Sequence, residues 1–554
     1  MAGAYRTIRL NITPAGFPLL SELSGHTVII PGLDQDNISK GSAGVESKIP
    51  SVVYCHNVMP TLQGYQSIGY DSIVPEVTSV IGTYAALYPR TYEELSSYTY
   101  EQLLTLEPDE NSLKFTRVLE VRDANQNTAY VGVTIDNTVW LYTATRGIWN
   151  LLATPSWQGG DISVAVVFLS TGITSFLCLE NFGIFIVDIA NTVLVTPNFI
   201  GGITISSVKG IATAYNYLIL YNDQYVQWSS AFDPLDFDLT NAIITGTGYG
   251  IPIGISGTIT AVLPIQGGYI VYTTRNAVIA SYSGNTQYPW TYTAVPNSAG
   301  VSSNKHITSS EKGSAYAWTG VGLQEVVRPD AVSILPEVTD FLASRVFETY
   351  NETTDRLEVT YVSQDTAVLV RYIQKRYLVI SYDKADSSLP QPIYSYALVL
   401  DTLLDRWGKL KIDHVDTIDI APTSSSNLTG SAKRTIGFLA ITGEIKVVNF
   451  DLANTAVTGV LLLGKIKIDR QDIVTLLETS LENIDQTANF QLQIGVSYKG
   501  KDLQYPLVQP YLAVNKSKAR TYNSLISGDD HILFMKGAFN LVSLQVMVRN
   551  NGSR

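Results

Sequence analysis

The chain is 554 residues long and 45% apolar, enough for a large buried core but too long for one ordinary domain, so two or three domains are expected. A net charge of −12 excludes a general nucleic-acid binder, which needs Lys and Arg to displace phosphate counterions, yet suits DNA sliding past an acidic wall. Charged residues make up only 16% while Tyr numbers 33, a balance that fits buried sheets or surface hidden in an assembly, and two cysteines build neither a disulfide framework nor a CxxC site.

At the N-terminus, Arg6 and Arg9 are followed by Asn11 and Pro14 rather than an apolar run, so no signal peptide and a cytoplasmic folding site are expected. Residues 1–115 lack a regular rhythm. The stretch Ile30–Asp36 is turn-rich, and Pro50, Pro60 and Gly64 punctuate the chain after it. Asp34 and Asp36 offer oxygens of the kind calcium takes, but the later Gly and Glu of a calcium loop are missing, which favours a plain turn. Tyr84–Pro108 is an insertion that reads as a short helix over Tyr92–Leu106, from its Glu, Gln and Leu content, or as an exposed extended arm.

From about residue 116 the chain settles into paired apolar strands around tight polar turns. Tyr130–Thr134 and Thr138–Thr143 flank Asp136-Asn137. Thr174–Leu179 and Ile184–Asp188 flank Asn181-Phe182-Gly183. Tyr217–Tyr221 pairs with Tyr225–Trp228, Tyr269–Thr274 with Ala277–Tyr282, and Thr435–Ala440 with Glu444–Phe450. A hairpin every 40–50 residues or so is the signature of four-stranded propeller blades. The uncharged stretch Ile162–Leu179 is broken by Ser170-Thr171-Gly172 and reads as two buried strands rather than a membrane span. Two turns carry an Arg and lead into a Trp, Arg146 with Trp149 and Arg406 with Trp407, placing each Trp between neighbouring blades. A short helix is expected behind Pro336, with Val338, Phe341 and Leu342 on one face.

After about 455 the rhythm stops. A strand at Val460–Asp469 and a helix at Gln471–Asn483 are expected, the latter from Ile473, Leu476, Leu477 and Leu481 at helical spacing. Long alternating strands come next, at Asn489–Tyr498 and Asn540–Val548. The expected organisation is an N-terminal segment 1–115, a six- or seven-bladed β-propeller over 116–455, and a mostly antiparallel β-sheet segment 456–554, all-β as a class.

Few residues point to chemistry. Asp233, Asp236 and Asp238 offer carboxylates, and a propeller can host a glycosidase pair, but three carboxylates in one loop do not set the separation that acid and nucleophile need across a sugar. They fit turn caps better. None of His26, His56, His306, His414 and His531 pairs at i, i+4 spacing, so zinc is not expected, and the neighbours Cys55 and His56 point to opposite faces of an extended chain. No phosphate loop, Rossmann fingerprint or nucleophile elbow occurs. Lys516, Lys518 and Arg520 form a small basic cluster, read as a solvated loop. No catalytic, cofactor-binding or metal residue is therefore assigned, and no enzymatic activity is expected. A carbohydrate-binding or glycoside-hydrolysing propeller is the alternative, with Tyr and Trp stacking on sugar.

Several segments resemble the tail nozzle proteins of short-tailed bacteriophages, also called tail tubular protein B or packaged-DNA stabilisation proteins. They are Trp228–Phe237; Ser281–Asn285 with Pro289-Trp290 and Val295–Gly300; Arg406–Leu410; Gly528–Leu541; and the N-terminal stretch Pro50–Gly64. Each is short, and their order along one chain carries the resemblance. It implies a propeller flanked by N- and C-terminal segments packed together as a β platform. It further implies a homohexameric ring in the virion tail, assembled in the host cytoplasm below a portal adaptor, or head-to-tail connector. Double-stranded genomic DNA would be retained by that ring and then pass through it, and a tail fibre or tailspike would attach to its side. Pro422–Lys433 and Thr245–Pro252 are the candidate gate loops.

Overall fold

The computed structural model describes residues 52–61, 64–73, 76–77, 114–125, 127–143, 147–153, 157–310, 313–327, 330–333, 336–343, 346–351, 356–361, 366–383, 393–404, 406–420 and 435–450. It also describes strand backbones at 5–11, 28–29, 47–48, 459–463, 466–467, 472–483, 489–497, 512–514, 518–528 and 530–553.

Seven blades of four antiparallel strands succeed one another and close into a propeller; blade one adds a parallel fifth strand, Glu76–Val77, and blade six is part of a larger sheet. Their innermost strands are Phe115–Arg122, Ile162–Leu169, Gly210–Ala214, Ile259–Ile265, Ile307–Ser309, Ala367–Ile373 and Asp416–Ile420, for blades one to seven in chain order. These strands meet side by side right round the ring, blade seven against blade one. The count settles the choice between six and seven. Seven hydrophobic clusters fill the seven gaps between blades, so the core is a ring rather than a ball.

Each hairpin read from the sequence forms the second and third strands of a blade, in blades one, two, three, four and seven. These strands are packed on both faces, and Val139–Thr143, Tyr217–Tyr221 and Gly268–Thr273 are buried at every position. Asn137 and Asn181 turn the first two hairpins at φ 60° and 56°, a left-handed backbone that Asn tolerates. The Trp prediction holds. Trp149 packs on Phe115 and Tyr142 in the gap between blades one and seven, and its Nε1 donates to Gly443 O at 3.1 Å. Trp407 lies in the gap between blades five and six, with Val338 and Leu342 of the expected helix, Pro336–Ala343.

Blade seven takes three strands from its own segment and its outermost strand, Gly69–Ile73, from near the N-terminus. These residues, assigned from sequence to the N-terminal segment alone, therefore belong to the propeller. The pairing of Gly69 with Asn449 and Ile73 with Ile445 laces the ring shut across the whole chain. Asn449 Nδ2 adds a hydrogen bond to Asp71 Oδ1 at 2.9 Å.

The two chain ends are woven together. Tyr5–Asn11 and Tyr65–Ser67 both pair with Asn540–Ser553, and Val52–His56 pairs with Gly459–Leu463. One of the resulting sheets grows directly out of blade six. Its strand Arg406–His414 meets Val58–Pro60 through Lys409 and Val58, and Val58–Pro60 pairs with Tyr65–Ser67.

One element differs in kind from its expectation. Asp472–Asn483 is a strand, not a helix, held between Lys518–Gly528 and Asn540–Ser553. Its sequence also carries β-branched Ile473, Val474, Thr475 and Thr479, which suit a strand, and two long neighbours satisfy both backbone edges. The expected helix at Tyr92–Leu106, Asp34 and Asp36, His26, Lys516 and the loop Pro422–Lys433 lie outside the described residues.

His414 shows how the interior handles an ionisable group. The ring is fully buried, with Ile412 O and Ser381 Oγ each 2.7 Å from its two nitrogens and Phe438 edge-on at 4.8 Å. Burial lowers its pKa from 6.5 to about 4. The folded state therefore binds this proton less well than the unfolded chain, and stability is lost as pH falls from 6.5 towards 4. The expected loss is about 3 kcal/mol for a shift of this size. Urea midpoints across pH 4–7 should show it, and His414→Leu should flatten that slope.

Candidate functional site

A cavity of about 570 Å³ runs down the propeller axis, lined by the innermost strands of blades one to six. Much of its wall is apolar, from Leu119, Val164, Val166, Val262, Leu263 and Pro264. Charge gathers around it from separate blades. Arg117 and Arg371 project from innermost strands, Asp416 begins one, and Asp161 and the turn Asn304–His306 lie just before two others. An innermost strand presents alternate residues to the axis, which is how Arg117 and Arg371 reach the centre.

Asp416 is 1% exposed and holds the cluster together. It accepts from Arg371 Nε at 3.0 Å and Nη2 at 3.2 Å, and from the backbone N–H groups of Val118 at 3.1 Å and Thr417 at 2.9 Å. Arg117 is also buried, 3.6 Å from Asp161 and 4.0 Å from Asp416, and its Nη1 donates to Asn304 Oδ1. Its Nε has no hydrogen-bond partner. Lys305 is half-buried and makes no ion pair among the described residues, although its charge is felt by this group. Burial first, then the Arg117 charge, lowers its pKa below the usual lysine range. Burial likewise lowers the pKa of His306, whose Nδ1 is 3.1 Å from Ser302 Oγ. Two guanidiniums, Arg117 and Arg371, thus face two carboxylates, Asp161 and Asp416, while Glu120 on the cavity wall is matched by Arg122 at 2.7 Å and Glu180 accepts from Asp161 N at 2.7 Å.

A second feature is an apolar rim on one face of blades two to four. Phe168, Tyr215, Phe232, Ile243, Ile244 and Tyr288 are all exposed there, Phe232 by 78%. Their loops are tied together. Asn216 bonds Phe168 N at 2.8 Å and Ala231 O at 3.5 Å, and Tyr215 stacks near Tyr282 at 4.7 Å.

The carboxylates singled out from sequence are spent on the backbone. Asp233 caps Leu235 N at 3.0 Å, Asp236 caps Asp238 N at 2.9 Å, and Asp238 caps Thr240 N at 2.9 Å. They shape the loop between the third and fourth strands of blade three and converge on no shared point. Asp236→Ala is expected to cost about 1 kcal/mol by thermal denaturation, the worth of one capping bond. Thr245–Pro252 holds the end of a short helix and the outermost strand of blade three, Gly248–Gly250. Cys55 and Cys178 are buried, and burial raises both thiols to about 12, far from reactive thiolate. His56 is buried on Val52–His56, while His531, Lys518 and Arg520 sit on strands among the woven chain ends. The axial cluster escaped the sequence reading because its members come from five different blades. The available signal was an Arg inside each of two largely apolar strands, Arg117 in FTRVLEVR and Arg371 in AVLVRYI.

No family model matches the chain, and no curated protein matches it. Among solved structures, the WD40 β-propeller domain of Doa1 is similar at 8% identity and TM-score 0.36, covering 62% of this chain and 99% of that one. YCF48 bound to a D1 peptide gives 9% identity and TM-score 0.34, over 62% of this chain and 97% of that one. The extracellular domain of the one-component system BT4673 from B. thetaiotaomicron gives 10% identity and TM-score 0.25, over 79% and 68%. The propeller assignment rests on the seven sheets themselves. No helix among the described residues is long and apolar enough to cross a membrane.

Proposed function

We propose that the chain is a structural protein of a virion tail, a nozzle subunit that assembles as a six-membered ring below a portal adaptor. In that role it retains packaged DNA until ejection, then lets it pass. The observation that carries this reading is the interweaving of both chain ends in a sheet continuous with blade six. A propeller that only displays a face for binding has no need of such a platform, whereas a ring subunit needs a rigid joint between its wall and its neighbours. The apolar rim and the low charge content support it, because both favour surface buried in an assembly. The axial cavity has the size of a small-molecule site, so DNA would pass between subunits rather than through a propeller. Net negative charge would keep it from sticking. A tail fibre or tailspike would attach to the flank of the ring.

Electron microscopy of the purified protein, alone and with the portal adaptor, is the direct test. Six-fold rings are expected. A protein that stays monomeric with the adaptor present contradicts the reading. A glycan-hydrolysis assay on wild type and Asp236→Asn serves the carbohydrate alternative, and no activity in either is expected.

A further inference from the structure

We infer that neighbouring copies of this chain meet head to tail through blades two to four, the apolar rim of one copy seating against an apolar ridge on the outer edge of the next. The inference rests on the ring proposed above and names the surfaces that build it. The six rim side chains are exposed by 54% to 78%. At roughly 150–250 Å² for side chains of this size, they bare an area on the order of 700 Å². A lone chain seldom shows so large an apolar patch, and a stable interface takes about 800 Å² from each partner. The rim is also held in place. Trp228 Nε1 donates to Gly246 O at 2.8 Å and Thr247 Oγ1 to Asp238 O at 2.9 Å, which fixes the loop bearing Ile243 and Ile244. Ser283 Oγ donates to Tyr288 O. Little ordering is left to be done at the moment of contact.

The ridge lies on the outermost strands. Tyr249, Ile251 and Ile253 alternate with Gly250 and the buried Pro252 along one stretch of blade three, exposed by 48%, 53% and 76%. Val193 and Val195 are likewise exposed on the outermost strand of blade two. A period of two puts each set on one side of its strand. Charge and geometry then choose the occupant. From Gly147 to Ser303 the only Lys or Arg residues are Lys209 and Arg275, and Lys209 is paired with Asp223 at 2.5 Å. Such a stretch holds neither nucleic acid nor an acidic lipid surface. A flat bilayer also cannot cover a face and an outer edge together. A closed ring needs heterologous contacts, in which each copy offers two different surfaces. Rim and ridge are two such surfaces, both apolar and both poor in cations.

The test is sedimentation velocity and electron microscopy of the full chain, alone and with the portal adaptor, comparing wild type with Ile244→Asp in the rim and Ile253→Asp in the ridge. Phe232→Ser and Ile251→Ser replace them where an Asp variant fails to fold. Each variant alone is expected to raise the protein concentration for half-assembly at least about tenfold, the effect of losing one apolar anchor. The substituted side chains are exposed, so thermal midpoints are expected to stay near that of wild type. At a concentration where neither variant assembles alone, an equal mixture is expected to stop at 1:1 pairs, since one intact rim–ridge contact remains between them. Assembly like that of wild type in both variants overturns the inference and leaves the ring standing. A loss confined to one of the two variants, or a mixture that stays monomeric, overturns the head-to-tail pairing. A wild type that stays monomeric with the portal adaptor present removes the ring itself, and the inference with it.

Discussion

Asp416→Ala is expected to destabilise the propeller by about 3–5 kcal/mol, a very large effect for one side chain. The reason lies in what is left behind. The Asp416 carboxylate is 1% exposed and takes two hydrogen bonds from Arg371 and two from backbone N–H groups. Truncation strands the Arg371 guanidinium, deprives Arg117 of its second carboxylate, and leaves the Val118 and Thr417 amides without that acceptor. Burying an unpaired charge costs far more than the net gain of forming the pair. The residue also sits where it matters most for a ring, at the first strand of blade seven, bonding to blade one through Val118 and to blade six through Arg371. Asp416→Asn keeps the shape and two acceptor lone pairs, so its cost is expected to be smaller. Urea denaturation followed by tryptophan fluorescence measures both. A loss below about 1 kcal/mol in Asp416→Ala would show that Arg371 finds another partner and that the cluster does not bind the ring together.

The cost of that substitution was not legible in the sequence, and the contrast with the hairpins explains why. Tyr217–Tyr221 and its turn at Asn222 announce themselves within ten residues, because a strand buried on both faces is a continuous apolar run and its turn needs Asn, Asp or Gly. The innermost strands are mixed, since one side lines the cavity, and outermost strands such as Val193–Val195 are short and partly exposed. Blades five and six escaped the hairpin pattern. In blade six, Tyr377–Asp383 and Tyr394–Asp401 are separated by ten residues; the Ala315–Thr319 and Gly322–Val327 hairpin of blade five turns at Gly320-Val321 and was missed although its turn carries Gly. Ring closure is a different kind of blindness. Gly69–Ile73 reads as one more short apolar stretch, and nothing local says that its partner is Ile445–Asn449. The error at Asp472–Asn483 is of the same kind, because helical spacing and β-branched residues were both present and only distant partners decided between them.

Gly408→Val is expected to uncouple the platform from a propeller that stays folded. A Cβ at Gly408 would sit 2.5 Å from Val58 O and 3.1 Å from Met59 Cα, so backbone, not a yielding side-chain tip, blocks it. The N-terminal strand must then move off blade six. With it go the hydrogen bonds from Lys411 N to Asn57 Oδ1 at 2.9 Å and from Arg406 Nη1 to Thr61 O at 2.8 Å. Asn57 itself is held at φ 53°, a left-handed backbone that those contacts help to maintain. Overpacking of this kind costs about 1–3 kcal/mol or more, concentrated at one joint. Five of the seven interblade cores contain none of these residues and keep most of the ring of blades intact. Hydrogen exchange is the measurement that separates the two units. Protection should fall over 52–67 and 535–541, which Phe539 ties to Ser67 through bonds of 2.9 Å and 3.2 Å, while amides of Tyr217–Tyr221 and Gly268–Thr273 keep theirs. Electron microscopy of the same variant should find no rings where wild type forms them, because a wall without its joint cannot set the angle between neighbours. Intact protection at 52–67 in Gly408→Val would mean that the close approach of the N-terminal strand to blade six is not what fixes the platform.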